Sequence, residues 1–70
     1  MYAHTQVADY MESLIRSGVL APDARLPGER ALAEEYRVAL GTIRRAIEEL
    51  RRRALVVTLP SKGTYVASLP

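Results

Sequence analysis

Residues 38–53, VALGTIRRAIEELRRR, decide the fold because they combine an apolar stripe with five arginines. The apolar residues recur at i, i+3, i+4 and i+7, the spacing of one face of an amphipathic helix. They are Ile43, Ala46, Ile47 and Leu50, and Ala54 is expected to extend the stripe by another turn. The opposite face carries Gly41 and Arg45, with Arg44 and Arg51 on one flank. Such a face suits a DNA major groove, but most charged helix faces are simply solvated, so this helix alone leaves both readings open.

Size and composition restrict the possible classes of protein. Seventy residues make one small domain, and without cysteine it has no disulfide framework and no thiolate metal site. The apolar residues, 49% of the chain, must therefore hold the fold. No apolar run approaches the ~18 residues that span a bilayer, and the N-terminus lacks the pattern of a secretory signal. We expect a soluble, cytoplasmic (nucleoid-associated) protein.

The charge is distributed unevenly along the chain. Residues 1–36 carry three arginines against six acids, a net charge of −3, whereas residues 37–70 carry seven cations against two acids, a net charge of +5. A basic half suggests an anionic partner, either nucleic acid or a membrane surface. The alternative is a chance imbalance in a solvated surface.

The first third of the chain reads as a helix and a connector. Residues 5–17 have an apolar stripe at helical spacing, with Thr5 as a candidate N-cap and Gly18 as the residue that ends the helix. The acidic polar face argues against a helix lying on a membrane. Two prolines punctuate residues 19–28, which leave room for a very short strand at residues 25–26.

The middle of the chain has the pattern of a helix-turn-helix. Residues 29–36 predict a second helix of about two turns, with Ala31, Leu32 and Tyr36 on its inner face and Arg30 on its outer side. A connection of only a few residues leads to the arginine-rich helix. Two short helices so joined, the second basic on its outer face, are the arrangement that places a recognition helix in DNA.

The last third predicts a β-hairpin. Residues 55–59 and 64–67 are rich in β-branched and apolar residues, and residues 60–63 form a turn with Lys62 at its tip. The order of elements is that of a winged helix-turn-helix, a mainly α fold of three helices plus a two-stranded wing. Its second helix, third helix and wing would present cations toward one side.

Three runs of residues resemble one family. Residues 26–36, LPGERALAEEY, are similar to the L-P-S-E-R-x-L-A-x-x-(F/Y) run of GntR-type bacterial transcription regulators. Residues 42–50, TIRRAIEEL, resemble that family's T-V-R-x-A-L-x-x-L, and residues 62–66, KGTYV, resemble its (R/K)-G-T-(F/Y)-V wing. The three runs occur in the family's order and spacing.

The resemblance implies a DNA-binding domain over residues 1–67 of a transcriptional repressor or regulator. Residues 68–70 would begin a linker to a C-terminal domain that is absent here, and that domain would bind a small-molecule effector and form a homodimer. The expected partner is double-stranded DNA with a pseudo-palindromic operator, without a cofactor, a metal or a membrane. A recognition helix at about residues 40–53 would enter the major groove, and the wing at residues 60–63 would approach the minor groove.

Residues expected to contact DNA come from the second helix, the recognition helix and the wing. The resemblance implies such roles for Arg30, Thr42, Arg44 and Lys62, and the helical wheel adds Arg45. The complete set is Arg30, Leu40, Gly41, Thr42, Arg44, Arg45, Lys62 and Gly63.

The chain also departs from the family pattern. Ala39 and Leu40 stand where Ser-Arg is frequent, which removes a helix cap and an arginine. Arg37, Ala54 and Ser61 occupy positions where the family commonly has glycine. These departures concern how bases are read more than they concern the fold.

The sequence leaves two other classes of function to compare with DNA binding. An enzyme is disfavoured because His4, the only histidine, lies in an N-terminus expected to be mobile, and no nucleophile–base pair or metal-ligand cluster can be assembled. A winged-helix module that binds protein without binding DNA is the second alternative. The arginines at the end of the recognition helix, residues 51–53, are expected to be solvated and to compensate the helix dipole.

Overall fold

The computed structural model describes residues 3–68 and contains three helices followed by a two-stranded antiparallel sheet. The elements are α1 (Ala3–Ser17), α2 (Glu29–Tyr36), α3 (Leu40–Arg52), β1 (Val56–Leu59) and β2 (Gly63–Val66). The predicted winged helix-turn-helix architecture is confirmed. Residues 1–2 and 69–70 lie outside the described residues, so the predicted domain limits at the two ends are not described either.

The core is formed by the predicted apolar stripes. All four stripe residues of α3 are buried, and α1 contributes Val7, Ala8, Met11 and Ile15. They pack against Leu26, Leu32 and the start of β1. On α2 the prediction was wrong for Ala31, which is exposed, because the helix turns Leu32 inward with Ala33 and Tyr36 beside it.

The first helix begins earlier than its candidate cap. Because α1 starts at Ala3, Thr5 lies inside the helix, and so does His4, which is half-buried and not part of a mobile terminus. The ring of Tyr10 meets the ring of Tyr36 edge to face at a centroid distance of 5.9 Å, which packs α1 against α2. None of the described helices is long and apolar enough to cross a membrane.

The ends of α2 and α3 share one hydrogen-bonding pattern. After α3, the Leu55 amide donates to the Leu50 carbonyl at 2.9 Å and the Ala54 amide donates to the Arg51 carbonyl at 2.9 Å. This is the Schellman arrangement, in which the turning residue takes a left-handed conformation. Ala54 has φ 61° and is exposed, so the expectation that it extends the apolar stripe was wrong.

At the end of α2, Arg37 occupies the same left-handed position with φ 55°. The Val38 amide donates to the Ala33 carbonyl at 3.0 Å, and the Arg37 amide donates to the Glu34 carbonyl at 3.3 Å. The wing turn holds a third such residue, Ser61, with φ 64°. The three positions where the related family commonly has glycine are thus three left-handed turns filled here by other residues.

The wing is a short hairpin whose register runs from the Val56–Val66 pair to the Leu59–Gly63 pair. β1 begins one residue later than predicted and ends at the predicted residue, whereas β2 begins and ends one residue earlier, which leaves residues 60–62 as the turn with Lys62 in it. The predicted short strand at residues 25–26 is present as a bridge between Arg25 and Tyr65. Around it the Leu26 amide donates to the Thr64 carbonyl at 2.8 Å.

A cluster of charged side chains joins α1 to the end of α3. Arg53 Nη1 lies 2.9 Å from both Asp9 Oδ1 and Glu12 Oε1, and Arg53 Nε lies 2.9 Å from Glu49 Oε2. Only 24% of the Arg53 side chain is exposed, so the expectation that this arginine is merely solvated was wrong. Its hydrogen bonds to Glu49, Asp9 and Glu12 raise the pKa of Arg53.

Candidate nucleic-acid interface

Within the described residues, the Lys and Arg side chains that lack an acidic partner all lie outside α1. Within residues 3–68, Arg16, Arg44, Arg52 and Arg53 form ion pairs, and the other six of the ten cationic side chains do not. Those six lie on the connector, α2, the α2–α3 turn, α3 and the wing; they are Arg25, Arg30, Arg37, Arg45, Arg51 and Lys62. Three of the four paired arginines, by contrast, balance acids of α1 or the C-terminal half of α3.

The N-terminal turn of α3 is open to a partner. It begins after Ala39, which gives no side-chain cap to the helix, as expected from the missing serine. Gly41 is exposed, and Leu40 and Thr42 are half-buried. The Thr42 amide donates to the Ala39 carbonyl at 3.0 Å, whereas the Leu40 and Gly41 amides precede the first backbone hydrogen bond of the helix and remain available as donors. These three residues therefore present a small, mainly backbone surface.

The two adjacent arginines of α3 differ in how they are held. Arg44 Nε donates to Glu29 Oε1 at 3.1 Å, in an ion pair whose side chains are 58% and 47% exposed. Arg45 is exposed and has no ion pair within residues 3–68. The contact through Nε leaves both terminal nitrogens of Arg44 unused by Glu29, and these are the donors that arginine presents to guanine O6 and N7.

The wing brings Lys62 and Gly63 to its turn. Lys62 is exposed, and its amide donates to the Leu59 carbonyl at 3.0 Å. Gly63 has φ 123°, and a Cβ at this residue would lie 2.7 Å from Arg25 Nε. The Arg25 side chain therefore lies directly across the wing at Gly63, a closeness that glycine permits.

Between α2, α3 and the wing lies a groove of about 240 Å³. Its floor includes the buried residues Leu26, Leu32 and Ile47, and its polar lining includes Arg25 and Arg51. Neither arginine was among the predicted site residues. The sequence did hold a signal for Arg51, because it follows Arg44 by seven residues and therefore shares its flank of α3.

The described residues contain no group of three or more His, Cys, Asp or Glu side chains able to hold a metal ion.

The charge of His4 contributes to lowering the pKa of Glu49, after the larger effects of Arg53 and Arg52. His4 thus belongs to the surroundings of the cluster between α1 and α3. The predicted site residues lie in the first turn of α2, the first two turns of α3, the wing turn and the start of β2; they are Arg30, Leu40, Gly41, Thr42, Arg44, Arg45, Lys62 and Gly63.

Comparisons with curated proteins identify related regulators. The chain is 34% identical over 62 residues to the HTH-type transcriptional repressor NagR of Bacillus subtilis, covering 89% of this chain and 26% of that protein. It is 41% identical over 63 residues to the HTH-type transcriptional regulator Rv1152 of Mycobacterium tuberculosis, covering 90% of this chain and 49% of that protein. The chain thus spans about a quarter to a half of the length of these relatives.

Solved structures show the same fold. AraR(DBD) in complex with operator ORX1 superposes with a TM-score of 0.89 at 33% identity, covering 96% of this chain and 81% of that one. A GntR family transcriptional regulator from Listeria monocytogenes gives a TM-score of 0.92 at 26% identity, covering 99% of this chain and 60% of that one. The family model described as "Bacterial regulatory proteins, gntR family" matches residues 3–66. The chain therefore belongs to the gntR family of bacterial regulatory proteins.

Proposed function

We propose that this chain is the sequence-specific DNA-binding domain of a bacterial transcriptional regulator, and that it has no enzymatic activity. The observation that carries the proposal is the separation of charge described above. Cations without acidic partners lie on α2, α3, the wing and the segments that join them. The acids Asp9 and Glu12 of α1, by contrast, pair with Arg16 on the same helix and with Arg53 after α3. Phosphate contacts account for much of the affinity of such domains for DNA, so cations without acidic partners are the expected footprint.

In the proposed complex, the N-terminal half of α3 lies in the major groove. Arg44 reads a base edge, with Glu29 fixing its guanidinium through Nε while the terminal nitrogens face a guanine. Arg30 and Arg45 bind phosphates and hold the domain in register. Leu40, Gly41 and Thr42 bring the helix backbone close to the DNA, and because none of them carries a long polar side chain, backbone and shape contacts are favoured over direct base contacts.

The wing lies at the minor groove in this complex, with Lys62 and Gly63 at the DNA. Support for operator binding comes from AraR(DBD), a structural relative crystallised with operator ORX1. The longer relatives support the proposal of a second, C-terminal domain beyond residues 68–70 that binds a small-molecule effector and forms a homodimer. A pseudo-palindromic operator would then be read by two recognition helices about one helical turn apart, in the cytoplasm.

The experiment combines selection from random duplexes with binding assays on the selected sequence. Arg44→Ala is expected to weaken specific binding about 5- to 150-fold, the equivalent of ~1–3 kcal/mol, and to relax preference at one base pair. Arg16→Ala is the matched control, because Arg16 is also an exposed arginine with a single ion-pair partner, but on α1. If no sequence is enriched and duplex binding is absent at low salt, the proposal of DNA binding is wrong. The alternative is then a winged-helix module that binds protein.

A further inference from the structure

The groove between α3 and the wing has a lining suited to an anion. Arg51 Nη1 donates to Thr58 Oγ1 at 2.8 Å, and the Thr58 and Thr64 hydroxyl oxygens lie 3.0 Å apart. The hydroxyls thus hold Arg51 through one of its terminal nitrogens without neutralising it. The other guanidinium donors of Arg51 have no hydrogen-bond partner among residues 3–68 and remain for a ligand.

Arg25 approaches the same groove from the wing side. The bridge to Tyr65 fixes its backbone, and its Nε lies where a side chain at residue 63 would be, so the Arg25 side chain lies along the hairpin at Gly63. Like Arg51, it has no ion pair within residues 3–68. The one acid that lines the groove, Glu29, already has its charge balanced by Arg44.

We propose that this groove binds backbone phosphates of duplex DNA, with Arg51 and Arg25 each neutralising one phosphate. This inference rests on the proposed function. In duplex DNA the sugar–phosphate backbone separates the major groove from the minor groove. With α3 in the major groove and the wing at the minor groove, this backbone must cross the space between α3 and the wing. The groove in the protein lies in that space. The ligand is the sugar–phosphate backbone, so the site adds affinity and register without reading sequence.

The salt dependence of binding tests the proposal without requiring the operator. Each neutralised phosphate contributes about 0.9 to the slope of log K against log salt concentration. Arg51→Gln is therefore expected to lower this slope by about 0.9 on a labelled 20-base-pair duplex of random sequence. Between 50 and 200 mM salt, the affinity of this variant should fall about 3.5-fold less than that of the parent chain.

Arg52→Gln provides the matched control. It removes the same charge from the neighbouring position of α3, but Arg52 is 74% exposed and pairs with Glu49 instead of facing the groove. Its slope is expected to equal that of the parent chain. Arg25→Gln should behave like Arg51→Gln, and Thr58→Val, which removes only the hydroxyl that holds Arg51, should reduce affinity while keeping most of the slope.

The outcomes separate this inference from the proposed function. Circular dichroism first establishes that each variant retains its helices. If the parent chain binds with a steep slope but the Arg51 and Arg52 variants have equal slopes, the groove is not a phosphate site, although DNA binding stands. If the parent chain does not bind duplex at low salt, both proposals are wrong.

Discussion

Replacing Ala54 with glycine is expected to stabilise the domain. Ala54 is the left-handed residue that ends α3, with φ 61°, and its side chain is exposed. An L-residue in this conformation costs roughly 1–2 kcal/mol, because its Cβ crowds the following carbonyl oxygen. Glycine avoids that cost, but it loses about 0.5–1 kcal/mol more conformational freedom on folding. The net gain expected in the free energy of unfolding is therefore about 0.5–1 kcal/mol.

Thermal unfolding measures this gain. For a domain of this size, 1 kcal/mol corresponds to about 4–8 °C, so Ala54→Gly should raise the Tm by about 2–8 °C. Ala31→Gly is the matched control, because it makes the same substitution at an exposed position inside α2. It should lower the Tm, since glycine weakens a helix interior by about 1 kcal/mol. A lower or unchanged Tm for Ala54→Gly would refute the claim that the left-handed turn is strained.

Two further perturbations address the wing and the charged cluster. Gly63→Ala should destabilise the domain by about 1–3 kcal/mol, because φ 123° is closed to alanine. Adding Arg25→Ala removes the close contact with the new Cβ but not the backbone strain, so it should restore only a minor part of the lost stability. Full restoration of stability in a double-mutant cycle would contradict this explanation. The hydrogen bond from Arg53 holds the pKa of Glu49 below its usual value. The contribution of this ion pair to the free energy of unfolding is therefore fully present above about pH 4.3 and is lost as the pH falls through the lowered pKa. The Tm should therefore drop in acid, and Arg53→Met should show a flatter pH profile; parallel profiles would exclude this ion pair as the cause.

The helical periodicity of α3 and the β-branched, apolar runs of the hairpin were enough to predict the architecture. The stripe of α3 and the spacing of the hairpin depend on local sequence, and both appear at or within one residue of their predicted positions. The half-buried ion-pair cluster of Arg53 could not be predicted in this way. Its partners Asp9 and Glu12 lie more than forty residues away in the chain, and only the packing of α1 against α3 brings them together.

The prediction that Ala54 belongs to the apolar stripe of α3 was wrong for a different reason. Periodicity assigned Ala54 to the apolar stripe because it follows Ile47 by seven residues, but periodicity does not report where a helix stops. The stop is set by Leu55, whose amide bonds to the Leu50 carbonyl and whose side chain is buried, so the chain must turn at Ala54. In the candidate site, similarity to the family suggested residues on α2, α3 and the wing. It did not suggest Arg25, because the groove that Arg25 lines exists only in the fold, nor Arg51, although Arg51 shares a flank of α3 with Arg44.

The hydrogen bonds between the wing and the connector have a consequence for how such a domain can vary. The Val66 amide donates to the Ala24 carbonyl at 2.8 Å, and the Leu26 amide donates to the Thr64 carbonyl at 2.8 Å, just before α2 begins. The wing is therefore held to the connector by main-chain atoms that every residue type except proline possesses. Side chains on α3 can be exchanged, as at Leu40, without moving the wing, so a new operator preference can arise while the geometry of docking is retained.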